Sequence, residues 1–305
     1  MNHPKVSIVI LNWNGILDTL ECLESLQKIT YPDYDVIVVD NGSEGDDVSI
    51  LRDKFPTQVT VVENDQNYGF AEGSNIGMRY ALNASRPAYL LLLNNDTVVE
   101  PGFLDKLVSV AESDHDIGIL GPRILYHDFE GRNDVVWFTG GEIRWWHPKI
   151  WRFLKLADGD MKENRTPIRV DWVSGAAMMI RASVIDRISF LDSRYFFGHE
   201  DIDYCLRAQR HHFKIVYVPT SVVWHKVGRS RGRFAPGFAD LALEYQLIKR
   251  NASTPLYVYH LLLVPLLLLK WGIGFLVKYR NRETLGRFLS NLKRTIPRGT
   301  SKTVS

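Results

Sequence analysis

From residue 5 to residue 113 the chain alternates between two hydrophobic rhythms. KVSIVILNW (5–13), DVIVVDNGS (35–43), VTVVEN (59–64) and YLLLLNND (89–96) are short apolar, largely β-branched runs, the pattern of strands buried on both faces. Between them the apolar positions repeat at helical spacing. Ile16, Leu20, Leu23 and Leu26 form one such face, and Val48, Leu51 and Phe55 another over 46–55. Two more helices are predicted at 70–84 and in GFLDKLVSVAES (102–113). Apolar strands separated by amphipathic helices predict an α/β fold whose sheet is mostly parallel and covered on both sides.

Beyond residue 117 the rhythm becomes irregular. IGILGPRILY and VDWVSGAAMMIR read as strands or strand-edge segments, and 126–168 as a long excursion rich in Trp, Gly and charge. FFGHEDIDYCLRAQRHH reads as a loop opening a helix, FKIVYVP as a strand, and RSRGRFAPGF (229–238) as a basic loop. LYVYHLLLVPLLLLKWGIGFLVK (256–278) is long enough to cross a bilayer. It contains His260, Pro265 and Lys270, however, and from Lys278 onward eight Lys/Arg face one acid, Glu283. A spanning helix would put that tail on the wrong side for a cytoplasmic domain. The favoured expectation is one or two amphipathic helices lying on the membrane, with the tail on anionic lipid. A buried hydrophobic subdomain or dimer interface is the alternative.

Composition narrows the picture. The 305 residues, 45% hydrophobic and 24% charged, supply a sizeable core without disulfides. A net charge of +2 excludes a nucleic-acid binder by overall charge. Cys22 and Cys205 lie far apart in helical patterns without metal-site spacing, which predicts two buried free thiols in a reducing compartment. The apolar run after Lys5 is too short for a secretory signal, so folding is expected to start at residue 5, in the cytoplasm.

In a parallel open sheet, ligands sit beyond the carboxyl ends of the strands. There the four runs end in Asn12-Trp13-Asn14-Gly15, Asp40-Asn41-Gly42-Ser43, Asn64-Asp65 followed by Asn67, and Asn94-Asn95-Asp96. Any one of these reads as a helix cap or a turn. Four together make a polar rim. No GxGxxG or GxxxxGK[ST] loop is present to cradle a diphosphate, so a divalent cation held by Asp96 is the natural counter-charge. Gly69, Gly73 and Gly77 recur at i, i+4, i+8, which suits close helix–sheet packing. The functional alternative has Gly69 passing close to a ligand that Asn67 and Asn75 hydrogen-bond. Glu200, Asp201 and Asp203 crowd the start of a helix, where the helix dipole favours acids. Neighbouring carboxylates also raise one another's proton affinity, as a general base requires. His225 follows a strand and is a candidate metal ligand.

VSIVILNWNG, VIVVDNGS, ENDQNYGFAEGSNIG, LLLLNNDTVVEPGFL, WVSGAAMMIR, FFGHEDIDYCLR, VVWHKVG and EYQLIKRN together resemble family 2 glycosyltransferases of the GT-A fold, most nearly the rhamnosyltransferase-like branch that builds bacterial cell-surface polysaccharides. The resemblance runs from residue 5 to about 251. It implies a catalytic domain over 1–250, with a donor half to about 120 and an acceptor half over 121–250, followed by hydrophobic helices and a basic tail over 251–305. It implies an inverting transferase that moves a sugar from a nucleoside diphosphate, and the amphipathic tail suggests a lipid-linked saccharide as the acceptor. Deoxythymidine-diphosphate rhamnose is the first expectation for the donor and a uridine-diphosphate sugar the second. Asp40 would hold the pyrimidine base with the chain around Asn12 and Asn14, and Asn94, Asn95 and Asp96 would occupy the Asp-x-Asp position. Asp96 and His225 would bind Mg2+ or Mn2+. Asp201, in its pair with Glu200, would be the catalytic base, and Trp172, Ser174 and Gly175 would border the acceptor. Asn94 departs from the family's first acid. The implied location is the cytoplasmic face of the membrane, with no nucleic-acid partner and the oligomeric state, homo-oligomer included, left open. Two rival readings are a sugar nucleotidyltransferase, which NWNGILDT disfavours by lacking a basic residue, and a non-catalytic binding protein, which predicts loss of the site acids.

Overall fold

A computed structural model describes residues 3–147, 149–154, 165–227 and 238–263. The four expected strands form as β1 (Val6–Asn12), β2 (Tyr34–Asp40), β3 (Thr60–Glu63) and β4 (Tyr89–Asn94). They alternate with α1 (Ile16–Leu26), α2 (Asp47–Lys54) and α3 (Gly69–Ala84). A short strand that the sequence pattern does not announce, β5 (Thr97–Val99), precedes α4 (Phe103–Glu112). Then come β6 (Ile117–Tyr126), β7 (Val136–Phe138), β8 (Gly141–Ile143), β9 (Trp151–Phe153), β10 (Ile168–Arg169) and β11 (Ala177–Arg181). The order finishes with α5 (Ala182–Ile188), α6 (Glu200–Arg210), β12 (Lys214–His225) and α7 (Phe238–Asn251). VDWVSGAAMMIR thus splits, and only its second half is strand.

The main sheet runs β10-β12-β6-β11-β4-β1-β2-β3. β3, β2, β1 and β4 are parallel neighbours. β11 enters antiparallel between β4 and β6. The chain winds outward from β1 to β3, then crosses back through α3 to lay β4 on the other side of β1. The carboxyl ends of β1 and β4 therefore flank a topological switch point, where the helices leave a crevice. β1, β2 and β4 are buried almost throughout, as their continuous apolar runs require.

β12 is longer than the run that predicted it. Its pairing with β6 slips between Val218 and Val222, around Pro219, which has no N–H for the ladder. Past that bulge the strand also pairs with β5, setting His225 opposite Thr97. His225 is the last residue of the strand and not, as the pattern suggested, beyond it.

By internal packing the chain divides into one unit of residues 1–144 and 149–227 and a second of 145–148 and 228–305. In the second, the Tyr259 hydroxyl donates to the Trp146 carbonyl at 2.9 Å, and residues 254–263 are helical. Among the described residues no helix is long and apolar enough to cross a membrane. Of the expected amphipathic segment, 264–278 lies outside the described residues, as do the basic tail and 229–237. Cys22 and Cys205 are buried and free, and burial pushes the Cys22 thiol up to about 12.

The glycine stripe is a packing device at two of its three positions. A Cβ on Gly77 would lie 2.4 Å from Val9 Cγ1 and 2.8 Å from Val39 Cγ2, and one on Gly73 would lie 2.5 Å from Leu11 Cδ1. Helix propensity alone predicts that Gly77→Ala stabilises the protein by about 1 kcal/mol. Overpacking against rigid β-branched neighbours predicts a loss of about 1–3 kcal/mol. The loss is expected to win, and the urea midpoint of the variant decides the sign.

Candidate active site

The polar rim is wired through Asn12, whose side chain is 0% exposed. Its Nδ2 donates to Asp40 Oδ2 at 2.7 Å and to Asp47 Oδ2 at 2.9 Å. Its Oδ1 accepts from the Thr19 hydroxyl at 2.7 Å, and that hydroxyl in turn accepts from Asn95 Nδ2 at 3.0 Å. Asp40 also takes the Ser43 N–H on Oδ1 and the Ser43 hydroxyl on Oδ2. A carboxylate accepts about four hydrogen bonds, so Oδ1 keeps capacity for a ligand N–H. Asn14, at a positive φ of 50°, accepts the Glu44 N–H through Oδ1 and joins the first two strand ends. The side chain of Asn12 thus orients Asp40 rather than facing a ligand. Thr19, Ser43 and Asp47 were missed in the sequence because each reads as an ordinary helix or turn residue.

Asn41 organises the next loop. It donates to Asn67 Oδ1 at 2.9 Å and accepts from Asn64 Nδ2 at 3.0 Å, while Asn67 accepts the Gly69 N–H at 2.8 Å. Two expectations change here. Asn75 spends its amide on the backbone of Leu191, donating to its oxygen at 2.9 Å and accepting from its nitrogen at 3.0 Å. At 2% exposure it faces protein, not ligand. Gly69 does permit a close approach, but to the chain: at φ 81° a Cβ would stand 2.5 Å from the Phe196 carbonyl oxygen, which accepts the Phe70 N–H at 2.7 Å.

At the end of β4, Asp96 Oδ1 lies 3.0 Å from His225 Nε2, with Asn94 Nδ2 at 3.4 Å from the same nitrogen. Asp96 and His225 are 5% and 7% exposed. One carboxylate and one imidazole fit Mn2+ or Mg2+ as a partial donor set, with phosphate and water completing it. Among the described residues no group of three or more such side chains converges. Next in sequence, Lys226 ion-pairs with Asp18 at 2.7 Å and with Glu21. Burial disfavours its charge, but the two acids outweigh that and raise its pKa.

The third component stands where α6 begins. His199 takes the left-handed conformation, φ 71°, and turns the chain into Glu200 and Asp201. Asp201 Oδ2 accepts the Gly175 N–H at 3.0 Å and Oδ1 accepts the Ile202 N–H at 2.8 Å. Burial raises its pKa. Glu200 is 6% exposed and its Oε2 has no hydrogen-bond partner among the described residues. Burial, and then the charge of Asp201, push it up to about 8. Asp203 is apart from this pair, ion-paired to Arg207 at 2.9 Å. A Cβ on Gly175 would lie 3.3 Å from the Phe70 ring, and Ser174 caps the following turn through the Ala176 N–H. Trp172 is a correction. Its ring is 4% exposed beneath Phe138 and Phe153, so it backs the surface instead of bordering a sugar. The partly open rings are Trp137, Trp151 and Phe153, hidden in the sequence by the irregularity of the excursion that carries them.

Comparison with known proteins identifies the family and the fold. The low-salt glycan biosynthesis hexosyltransferase of Haloferax volcanii is 25% identical over 211 residues, 69% of this chain and 63% of that protein. The chain thus spans less than two thirds of that relative. The N-acetylglucosaminyl-diphospho-decaprenol L-rhamnosyltransferase of Mycobacterium tuberculosis is 26% identical over 223 residues, 69% of this chain and 72% of its own. The crystal structure of GalNAc-T7 with UDP, GalNAc and Mn2+ superposes with a TM-score of 0.65 and 20% identity, over 81% of this chain and 48% of that one. TarS 1–349 of S. aureus in complex with UDP gives 0.56 and 16%, over 95% and 80%. At such identities the two structures show the fold, which is GT-A. The family described as glycosyltransferase like family 2 matches residues 3–238, from ahead of β1 to the first residue of α7, and the chain belongs to that family.

Proposed function

We propose that this glycosyltransferase moves a sugar, with inversion, from a nucleoside diphosphate to a hydroxyl of a growing, lipid-linked cell-surface saccharide. The observation that carries the reading is Asp201. The backbone N–H groups of Gly175 and Ile202 hold its carboxylate, one on each oxygen, at the start of a helix. Asp201 takes the proton of the acceptor hydroxyl while that oxygen bonds to the anomeric carbon. The bond from that carbon to the diphosphate oxygen breaks on the opposite side. The base must come within about 3 Å of the hydroxyl. Asp40 would receive the pyrimidine on Oδ1, beside the Ser43 N–H, with Asn14, Asn67 and the strand-end backbone around it. Asp96 and His225, beside Asn94 and Asn95, would hold Mg2+ or Mn2+, which when bound neutralises the diphosphate. Burial holds a proton on Glu200 up to about pH 8, and while that proton stays Asp201 has no second charge beside it.

The sugar and acceptor rest on similarity. One relative is named a rhamnosyltransferase acting on a diphospho-decaprenol-linked sugar, and two neighbours hold UDP. Residues 256–278 and the basic tail would place the enzyme on the inner face of the membrane, next to such an acceptor. The domain division at about 250 belongs to the same proposal.

A panel of deoxythymidine- and uridine-diphosphate sugars, read by thermal shift with and without Mn2+ and then by transfer to lipid-linked acceptors, tests the reading. At least one donor should stabilise the protein more with Mn2+ than without, and Asp96→Ala should erase the difference. Asp201→Asn should lower turnover by about 100- to 10,000-fold and leave donor binding intact; full activity in that variant sinks the assignment. Glu200 adds a pH signature. Its pKa rises from an ordinary 4.5 to about 8 on folding, so the folded state keeps a proton that the unfolded chain releases. That contribution is complete below about 4.5 and is lost as pH rises towards 8. Glu200→Gln should therefore flatten the fall in melting temperature over that window, and an unchanged slope would place the proton elsewhere.

A further inference from the structure

Trp137, Phe138, Trp151, Phe153 and Trp172 form one aromatic layer that the mechanism does not use. Phe138 and Trp172 are its buried backing, 2% and 4% exposed, with ring centroids 5.0 Å apart. Phe153 packs on both, at 5.4 Å and 5.9 Å, and keeps 42% of its surface open. Trp137 meets Phe153 at 6.3 Å and, on another side, the His225 ring at 4.7 Å. Trp151 meets Phe153 at 6.0 Å and His199 at 5.7 Å, with Lys149 Nζ 3.7 Å over its ring. The layer thus begins at the proposed metal ligand and ends at the residue before Glu200. It spans the candidate centre from one side to the other.

Such a surface has a definite chemical preference. Its rings are fixed by tilted and edge-on contacts with one another, so little side-chain entropy is lost when a ligand covers them. An aliphatic chain offers such rings only apolar contact. A pyranose offers an apolar C–H face for the rings and a rim of hydroxyls. One of those hydroxyls must reach Asp201, whose anchor Gly175 lies three residues after the buried Trp172. We infer that Trp137 and Phe153, with Trp151 held behind them by Lys149 and His199, form a stacking platform for the acceptor saccharide. Trp137 and Phe153, and not Trp172, then select the acceptor. The identity of the bound sugar as acceptor rests on the transferase reading, but the binding of a sugar does not.

The test uses the purified full chain. Methyl glycosides of glucose, galactose, rhamnose, N-acetylglucosamine and N-acetylgalactosamine are titrated against tryptophan emission. Glycan-free phosphatidylglycerol–phosphatidylethanolamine vesicles form a parallel arm, and thermal shift by UDP and by deoxythymidine diphosphate, each with Mn2+, is read on the same samples. At least one glycoside should give a saturable change. Phe153→Ala and Trp137→Ala should weaken it about 5- to 10-fold, and Phe153→Tyr should retain it. Phe153→Leu keeps the bulk without the ring, and should fall with Phe153→Ala at an unchanged melting temperature. Silence towards every glycoside, or a response indifferent to Phe153→Ala, overturns the platform. So does a response to vesicles alone that Phe153→Ala removes, because the layer would then be a membrane patch. Stabilisation by UDP without glycoside binding defeats the platform only. Glycoside binding without any effect of UDP or deoxythymidine diphosphate defeats the transferase reading and leaves the platform standing.

Discussion

The cleft depends on one buried amide. Asn12 sits at the end of β1 with no exposed surface, and its single NH2 group serves two carboxylates, Asp40 and Asp47, both 6% exposed or less. Two like charges held that close in a poorly solvated place need a shared donor. The amide oxygen is tied by Thr19, and Thr19 by Asn95, so the strand ends of β1, β2 and β4 become one hydrogen-bonded body. An unmatched member would cost about 1–3 kcal/mol, which is why no part of the network can rotate alone. The ligand-facing capacity of Asp40 is what remains after this internal demand is met.

A second constraint brings distant chain to that body. β12 must supply His225 to the end of β4, more than a hundred residues earlier. The slip around Pro219 allows one strand to follow β6 and then reach β5. Lys226 fastens the far end by its ion pairs to α1, and its N–H donates to the Asp96 carbonyl at 2.9 Å. On the other flank, Gly69 and Phe70 dock the backbone of Phe196, and Asn75 clamps Leu191. Both ends of the loop leading into α6 therefore hang on α3. The helix that follows the donor-side strand also positions the candidate base.

This division explains what could be read from sequence. Where one residue's environment follows from its own strand or helix, the pattern was legible: the apolar runs named β1 to β4, and the polar residues that close β1, β2 and β4 meet in the network around Asn12. Where the environment comes from elsewhere in the chain, it was not. Asn75 looks like a ligand contact until Leu191, 116 residues on, takes its amide. Trp172 stands beside Ser174 and Gly175 in sequence, yet the excursion folds Phe138 and Phe153 over it. β5 is three residues long and exists only because β12 pairs with it. Periodicity carries no signal for a strand that short.

Asn94 gains meaning in the same setting. A second carboxylate at that position would add a negative charge close to Asp96 and, on the proposed reading, to the donor's diphosphate. The amide removes that repulsion and places a neutral group 3.4 Å from the His225 ring. Less charge also means weaker attraction for a cation, since hard divalent ions favour anionic oxygen. In that arrangement the metal and the diphosphate depend on one another: neither finds a full set of partners in Asp96 and His225 alone. On the proposed reading, donor binding would complete the cation site and departure of the nucleotide would undo it, which suits a catalyst that must release its product on every turnover.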